Sequence, residues 1–428
     1  MNSKFLKELP ELVKEEVISQ DVASKIEKYY QSKQDDSPNR LFTVFGVLGS
    51  LLVGLGIILI LAHNWDDFSR GTKTIFAFLP LVIGQLFVGF SLLKKKSKTW
   101  KESSGTFLFF AVGASISLVA QIYNIPGDLS SFLLTWSVLC IPLIYLLDSN
   151  ATAILSIIFA TWYATDYGYS FLSTGKTPWL YLILMTSMVP HYLKLQKQNA
   201  TSNITSVFNW LLPLSLIITL GTFIKTNTEL AVLMYVFLFG IFYNIGKIPF
   251  FEDQKLRRNG FLILGSLGTV SLLLFTSFNG FWKPIINLEN ILESSQELYV
   301  SAILFLIGLG VLVLSYQKEW IKGFKLFQFA FIFFTVTFFV GTTNGVLPMV
   351  LVNVLIFVLG LVTIKTGADK FHFGILNYGL LIISALVVCR FFDTDMTFLI
   401  RGILFLGVGL GFFLANYILI KRKSKIKN

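Results

Sequence analysis

Apolar and polar positions follow two different patterns along this chain. Over residues 1–40 the apolar ones are sparse: Phe5, Leu6, Leu9, Leu12 and Val13 recur at helical spacing among Lys and Glu. The stretch Val17-Ile18-Ser19-Gln20-Asp21 breaks the pattern, and Val22, Ile26, Tyr29 and Tyr30 resume it. Two short amphipathic helices are predicted, with Ser19 capping the second and Asp35-Asp36-Ser37-Pro38-Asn39 as the linker beyond. From Leu41 the pattern becomes a series of long apolar runs. They fall near 41–63, 73–93, 105–124, 130–147, 151–170, 177–194, 205–224, 229–246, 258–277, 298–316, 321–341, 346–365, 371–392 and 396–420. Each approaches the roughly 20 residues that a helix needs to cross a hydrocarbon core. The predicted fold is all-α: a polytopic transmembrane helical bundle of about 14 spans with a small N-terminal cytoplasmic helical hairpin. The domains are a two-helix head and linker (1–40), the bundle (41–420) and a basic tail (421–428). The polar opening predicts no cleavable leader, so the first span serves as its own insertion signal.

Some details break the regularity. Asp166, Tyr167 and Gly168 interrupt the fifth run. Between the ninth and tenth runs, Ile285, Leu288, Ile291 and Leu292 share one helical face after Pro284, with Glu289, Glu293 and Glu297 elsewhere. That segment reads as a helix lying in the outer interface, or as an ordinary connecting helix. Small residues recur four apart at Gly46, Ser50 and Gly54, and at Gly407, Gly411 and Ala415, which predicts close helix approach there.

Composition sharpens this picture. The chain is 54% hydrophobic and 14% charged, with a mean hydropathy of +0.70. A soluble domain carries roughly 25% charged residues. A single soluble fold, a disordered chain and a disulfide scaffold are thereby excluded. Cys140 and Cys389 both sit inside apolar runs and read as packing residues. The net charge of +11 lies in short loops beside apolar runs, so it reports topology and not nucleic-acid binding. With a cytoplasmic N-terminus, the outer side keeps only Arg70, Lys73, Lys176, Lys225, Lys283, Arg390 and Arg401 of the 35 basic residues. Lysines 94, 95, 96, 98 and 101 then lie inside, as does the C-terminal tail. The asymmetry predicts an even number of spans and both termini in the cytoplasm.

No catalytic signature or phosphate loop is present in the sequence. His63, His191 and His372 are scattered without metal-ligand spacing and read as interfacial residues; no metal and no cofactor is expected. Three polar clusters stand at the predicted outer boundary, where ionisable groups are costly and paired. The first holds Asn64, Trp65, Asp66 and Arg70, with Asp66 and Arg70 spaced to pair if the turn is helical. The second holds Gln121, Tyr123, Asn124 and Asp128: Gln121 and Asn124 suit cross-helix hydrogen bonds and Asp128 a helix cap. Gln85 is expected to be a further buried polar group. The third holds Arg390, Asp393, Asp395 and Arg401, where the arginines either pair with the aspartates or bind an anionic group. All three fall on one side, which predicts a single outward-facing polar pocket.

Residues 1–165 resemble the DUF2157 family of predicted bacterial membrane proteins. The likeness is carried by Leu12-Val13-Lys14 with Val17-Ile18-Ser19, by Ala62-His63-Asn64-Trp65-Asp66, and by Gln121-Ile122-Tyr123 with Gly127-Asp128. Asn377, Arg390-Phe391-Phe392-Asp393 and Arg401-Gly402 also look like the tail of longer members. His63 and Ala120 depart from the pattern. The resemblance implies a bacterial plasma-membrane protein and brings no activity with it. The expected function is therefore transporter-like, or lipid- or anion-binding, with membrane lipids and a small anion or lipid headgroup as partners. The alternatives are an envelope scaffold, sensor or assembly factor that engages a cytoplasmic protein through residues 1–40, and a membrane enzyme acting on a lipid-linked substrate.

Overall fold

The computed structural model describes residues 10–34, 65–169, 175–225, 227–252, 254–283, 285, 295–320, 325–343 and 345–393, with scattered positions between 402 and 420. All regular structure among them is helical. Residues 10–14 form a short helical piece, closed at Glu16 by a left-handed backbone (φ 55°). α1 (Gln20–Gln34) follows. Ser19 caps it as expected, its Oγ accepting the Val22 N–H at 3.4 Å.

Beyond the head come α2 (Arg70–Leu93), α3 (Lys98–Tyr123), α4 (Leu129–Leu147), α5 (Asn150–Gly168), α6 (Trp179–Asn199) and α7 (Asn203–Leu220). Then follow α8 (Thr228–Ile245), α9 (Gly260–Thr276), α10 (Ser295–Gln317), α11 (Leu326–Gly341), α12 (Val346–Asp369) and α13 (Phe373–Asp393). α2 to α13 coincide one for one with the second to thirteenth predicted runs. The first run lies outside the described residues, as does much of the fourteenth. Among the described residues eight helices are long and apolar enough to cross a membrane, and α9 and α11 are shorter apolar helices. The expected count of about fourteen is not confirmed by that measure, the first run and most of the fourteenth lying outside the residues it covers. α5 and α6 fall short because they carry polar groups, Asp166 in one and His191, Lys194 and Lys197 in the other. The predicted interfacial helix lies outside the described residues apart from Ile285, which is buried, and the opening of α10.

Polar side chains set the helix boundaries. Asp128 accepts the Ser131 N–H at 2.6 Å and starts α4. Ser202, Asn227 and Asn259 do the same for α7, α8 and α9. At the other ends, Lys95, Asn124, Asp148, Glu319 and Phe371 take left-handed backbones that turn the chain sharply out of the helix. The Asp166 carboxylate, which interrupts the fifth run, accepts a hydrogen bond from Ser130 at 2.5 Å and so ties α5 to the start of α4.

The chain divides into two units, Met1–Phe76 and Ala77–Asn428. Within the second, α8 is the axis. Its apolar stretch is 78% buried, against 22–39% for the other helices of spanning length. A helix that is apolar on every face and packed by protein on every face is a core element. Met234 and Leu238 join one apolar cluster, which gathers Phe109, Leu133, Ile157, Tyr181 and Phe208 of α3 to α7. Leu233 and Phe237 join another, with Phe331, Phe334, Ile356 and Leu359 of α11 and α12. Close contact of α8 with α9 depends on Gly265, where a Cβ would fall 2.5 Å from the Tyr243 nitrogen. Of the stripes predicted to give such contact, Gly46, Ser50, Gly54 and Ala415 lie outside the described residues, and at Gly407 and Gly411 a Cβ meets nothing within 4 Å among the described residues.

Candidate functional site

The first predicted cluster lies beside the start of α2. Asn64 is outside the described residues. Residues 65–68 form a turn, and the helix begins only at Arg70. Asp66 and Arg70 therefore lack the helical register that would pair them, and no ion pair joins them among the described residues. Both are exposed, while Trp65 is half-buried with the Lys73 ammonium 5.8 Å from its ring centre.

The second cluster ends α3 and begins α4. Gln121, Tyr123, Asn124 and Asp128 are all exposed. Asn124 terminates α3 at φ 51°, a backbone that Asn tolerates better than most residues. Gln85, expected to be buried, is exposed. The face of α2 that is buried is Ala77, Gly84, Val88 and Ser91, and Gln85 stands one residue round the helix from it.

The third cluster centres on Arg390 in the last turn of α13. Its Nη2 donates to Ser277 Oγ at 3.0 Å, and its guanidinium carbon lies 4.9 Å from the centre of the Phe278 ring. The Ser277 carbonyl accepts from Asn353 Nδ2 on α12 at 3.1 Å. The ends of α9, α12 and α13 thus meet around one half-buried cation. Asp393 closes α13; its side chain, Asp395 and Arg401 lie outside the described residues. The second and third groups stand on different parts of the unit, with α3 and α4 in the first apolar cluster and α12 and α13 in the second.

A fourth polar centre went unread in the sequence. Glu102, in the first turns of α3, accepts Ser149 Oγ, the Asn150 N–H at 3.0 Å and the Ala151 N–H at 2.8 Å. A carboxylate there satisfies the orphan amides at the start of α5 and complements the helix dipole. Asn150 Oδ1 lies 3.1 Å from His191 Nε2, and His191 Nδ1 lies 3.7 Å from Asp148, which pairs with Lys194 at 2.8 Å. Four helices, α3 to α6, are pinned by one network. Desolvation works against the ionised Asp148, but the hydrogen bond and charge of Lys194, with His191 and Lys98 behind, hold its carboxyl below the ordinary value. The pair's contribution is thus present above about pH 4 and lost on acidification through the depressed value. With both side chains about half exposed, it is worth roughly 0–1 kcal/mol. These residues are far apart in sequence. The only local signs were His191 and Lys194 one turn apart and the tight Asp148-Ser149-Asn150 junction.

Glu297, which the sequence placed off the apolar face of its segment, is buried, accepting the Lys225 N–H at 2.7 Å. Beside it Gln296 Oε1 accepts from Thr177 at 3.0 Å, and Gln296 Nε2 donates to the Phe223 carbonyl at 3.1 Å. Burial pulls the Lys225 ammonium below its ordinary value, with Glu297 opposing the shift. Among the described residues no three His, Cys, Asp or Glu are grouped to hold a metal.

Helices of this length and apolarity define a multi-pass helical membrane protein. The family resemblance holds for its first third: residues 10–153 match the profile of the family described as Predicted membrane protein (DUF2157). That stretch ends in the first turn of α5 and includes Glu102 and the 148–150 junction, but not Arg390. No curated protein and no solved structure matches the chain.

Proposed function

We propose that the protein binds a small anion or an anionic lipid headgroup at its outer membrane boundary, as a transporter-like protein of the bacterial plasma membrane with both termini cytoplasmic. The observation that carries this reading is the seat of Arg390. A guanidinium braced by a serine hydroxyl and an aromatic face is pre-organised, so less rotamer entropy is lost when it meets a phosphate or carboxylate. Arg401 is the other cation of this reading and Asp393 its counter-charge; Gln121, Tyr123 and Asp128, on another part of the unit, take no part in it. Arg390→Ala should weaken binding of inorganic phosphate or phosphatidylglycerol to the nanodisc-embedded protein by about 1.5–3 kcal/mol, and Arg390→Lys by less. Unchanged binding in both variants would remove the reading. Flux into proteoliposomes separates a carrier from a binding protein.

A second reading, a scaffold or sensor acting through residues 1–40, is favoured by the exposed Val17 ahead of α1 and Val22 within it. Deletion of residues 1–36 would abolish the output of such a protein and spare the flux of a carrier.

A further inference from the structure

Between α2 and α3 lies a cavity of about 270 Å³, lined by Phe87, Trp100, Ser103, Ser104 and Phe107. Phe87, Trp100 and Phe107 remain 42–49% exposed, so its aromatic wall faces outward from the unit. The turn above it reads Lys94-Lys95-Lys96-Ser97-Lys98, with Lys101 one residue beyond Trp100. The cations and the wall are physically continuous. The Lys96 ammonium lies 4.9 Å from the centre of the Phe90 ring, and Phe90 packs edge-on against Trp100 with centroids 6.2 Å apart. Glu102 is engaged on the start of α5, and Asp148 pairs with Lys194 and offsets only Lys98 of this turn; among the described residues no acid forms an ion pair with Lys94, Lys95, Lys96 or Lys101. Excess positive charge above an outward-facing apolar cleft is the complement of an amphiphile with an anionic head.

We infer that this cleft is a binding site for an anionic phospholipid, an acyl chain lying against Phe87, Trp100 and Phe107 and the phosphate above it near Lys96. The site is separate from Arg390 and stands whether or not that residue binds an anion. A lysine-rich turn alone attracts anionic lipid loosely and without a fixed position. An aromatic cleft beneath it gives one chain a defined seat and makes occupancy depend on both parts.

The test is quenching of Trp100 fluorescence in the full-length protein, in phosphatidylcholine nanodiscs doped with brominated phosphatidylglycerol. The Trp100→Phe variant supplies the signal of the other tryptophans. Brominated phosphatidylglycerol should quench the Trp100 share at lower mole fraction than brominated phosphatidylcholine. Lys96→Gln should reduce that preference about fivefold. Ser103→Phe, which fills the cleft and leaves every lysine in place, should abolish the preference for phosphatidylglycerol. Equal quenching by the two lipids would reduce the cleft to ordinary annular contact and overturn the proposal. So would a Lys96→Gln variant that keeps the full preference, or loss of the lipid signal on adding inorganic phosphate, which would indicate a soluble anion as the ligand.

Discussion

Glu102 stands in the sequence as one acid among lysines, and three hydrogen bonds make it a structural pin. Replacing it with Ala leaves two backbone amides and a hydroxyl at the start of α5 without their acceptor. An unmet donor at a partly buried site costs about 1–3 kcal/mol. Glu102→Ala should therefore lower the thermal midpoint in detergent, followed by circular dichroism at one fixed scan rate, whereas Glu11→Ala, on an exposed residue of the head, should not. An unchanged midpoint would mean that water replaces the carboxylate without loss. Residue roles of this kind were only partly legible. The caps at Ser19 and Asp128 were, because a cap acts within three residues and its signal is local. The Glu102 network was not, because its members come from four helices. The Asp66–Arg70 pairing required a helical turn, and spacing alone does not supply one: residues 65–68 form a non-helical turn.

Among elements, position along the chain was legible and facing was not. Hydropathy places each helix from α2 to α13, since a long apolar run has few alternatives to a helix in a membrane. It does not say which side of a uniformly apolar helix meets protein. Gln85 was misjudged on that account, and the tight crossing of α8 and α9 at Gly265 was missed. The difference is measurable with a single type of substitution. A Cβ at Gly265 would fall 2.5 Å from the backbone nitrogen of Tyr243, so α8 and α9 must separate. Gly265→Ala should cost about 1–3 kcal/mol. Gly89→Ala, on α2 where a Cβ meets nothing within 4 Å, should gain about 0.5–1 kcal/mol from the lower backbone entropy of the unfolded chain. Equal effects on the thermal midpoint at both positions would contradict this account of the crossing.

For the whole molecule, composition fixes the class and the family match covers residues 10–153, yet neither assigns an activity. What the structure adds is arrangement. α8 is shared by two apolar clusters, so the second unit is built around a helix hidden from lipid. Polar residues gather where helices end: Glu102, Asp148, Asn150 and His191 at one place, Glu297 with Lys225 at another, Arg390 with Ser277 at a third. The first two hold helices together, and Arg390 carries the proposed function. The most direct measurement is a density map of the protein purified in its native lipids, read at the end of α13. The account predicts density for a phosphate or carboxylate group within hydrogen-bonding distance of the Arg390 guanidinium, on the side of the membrane opposite Lys94–Lys96. A guanidinium closed by Asp393 or Asp395, with no such density beside it, would contradict the account and turn attention to partners of residues 1–40.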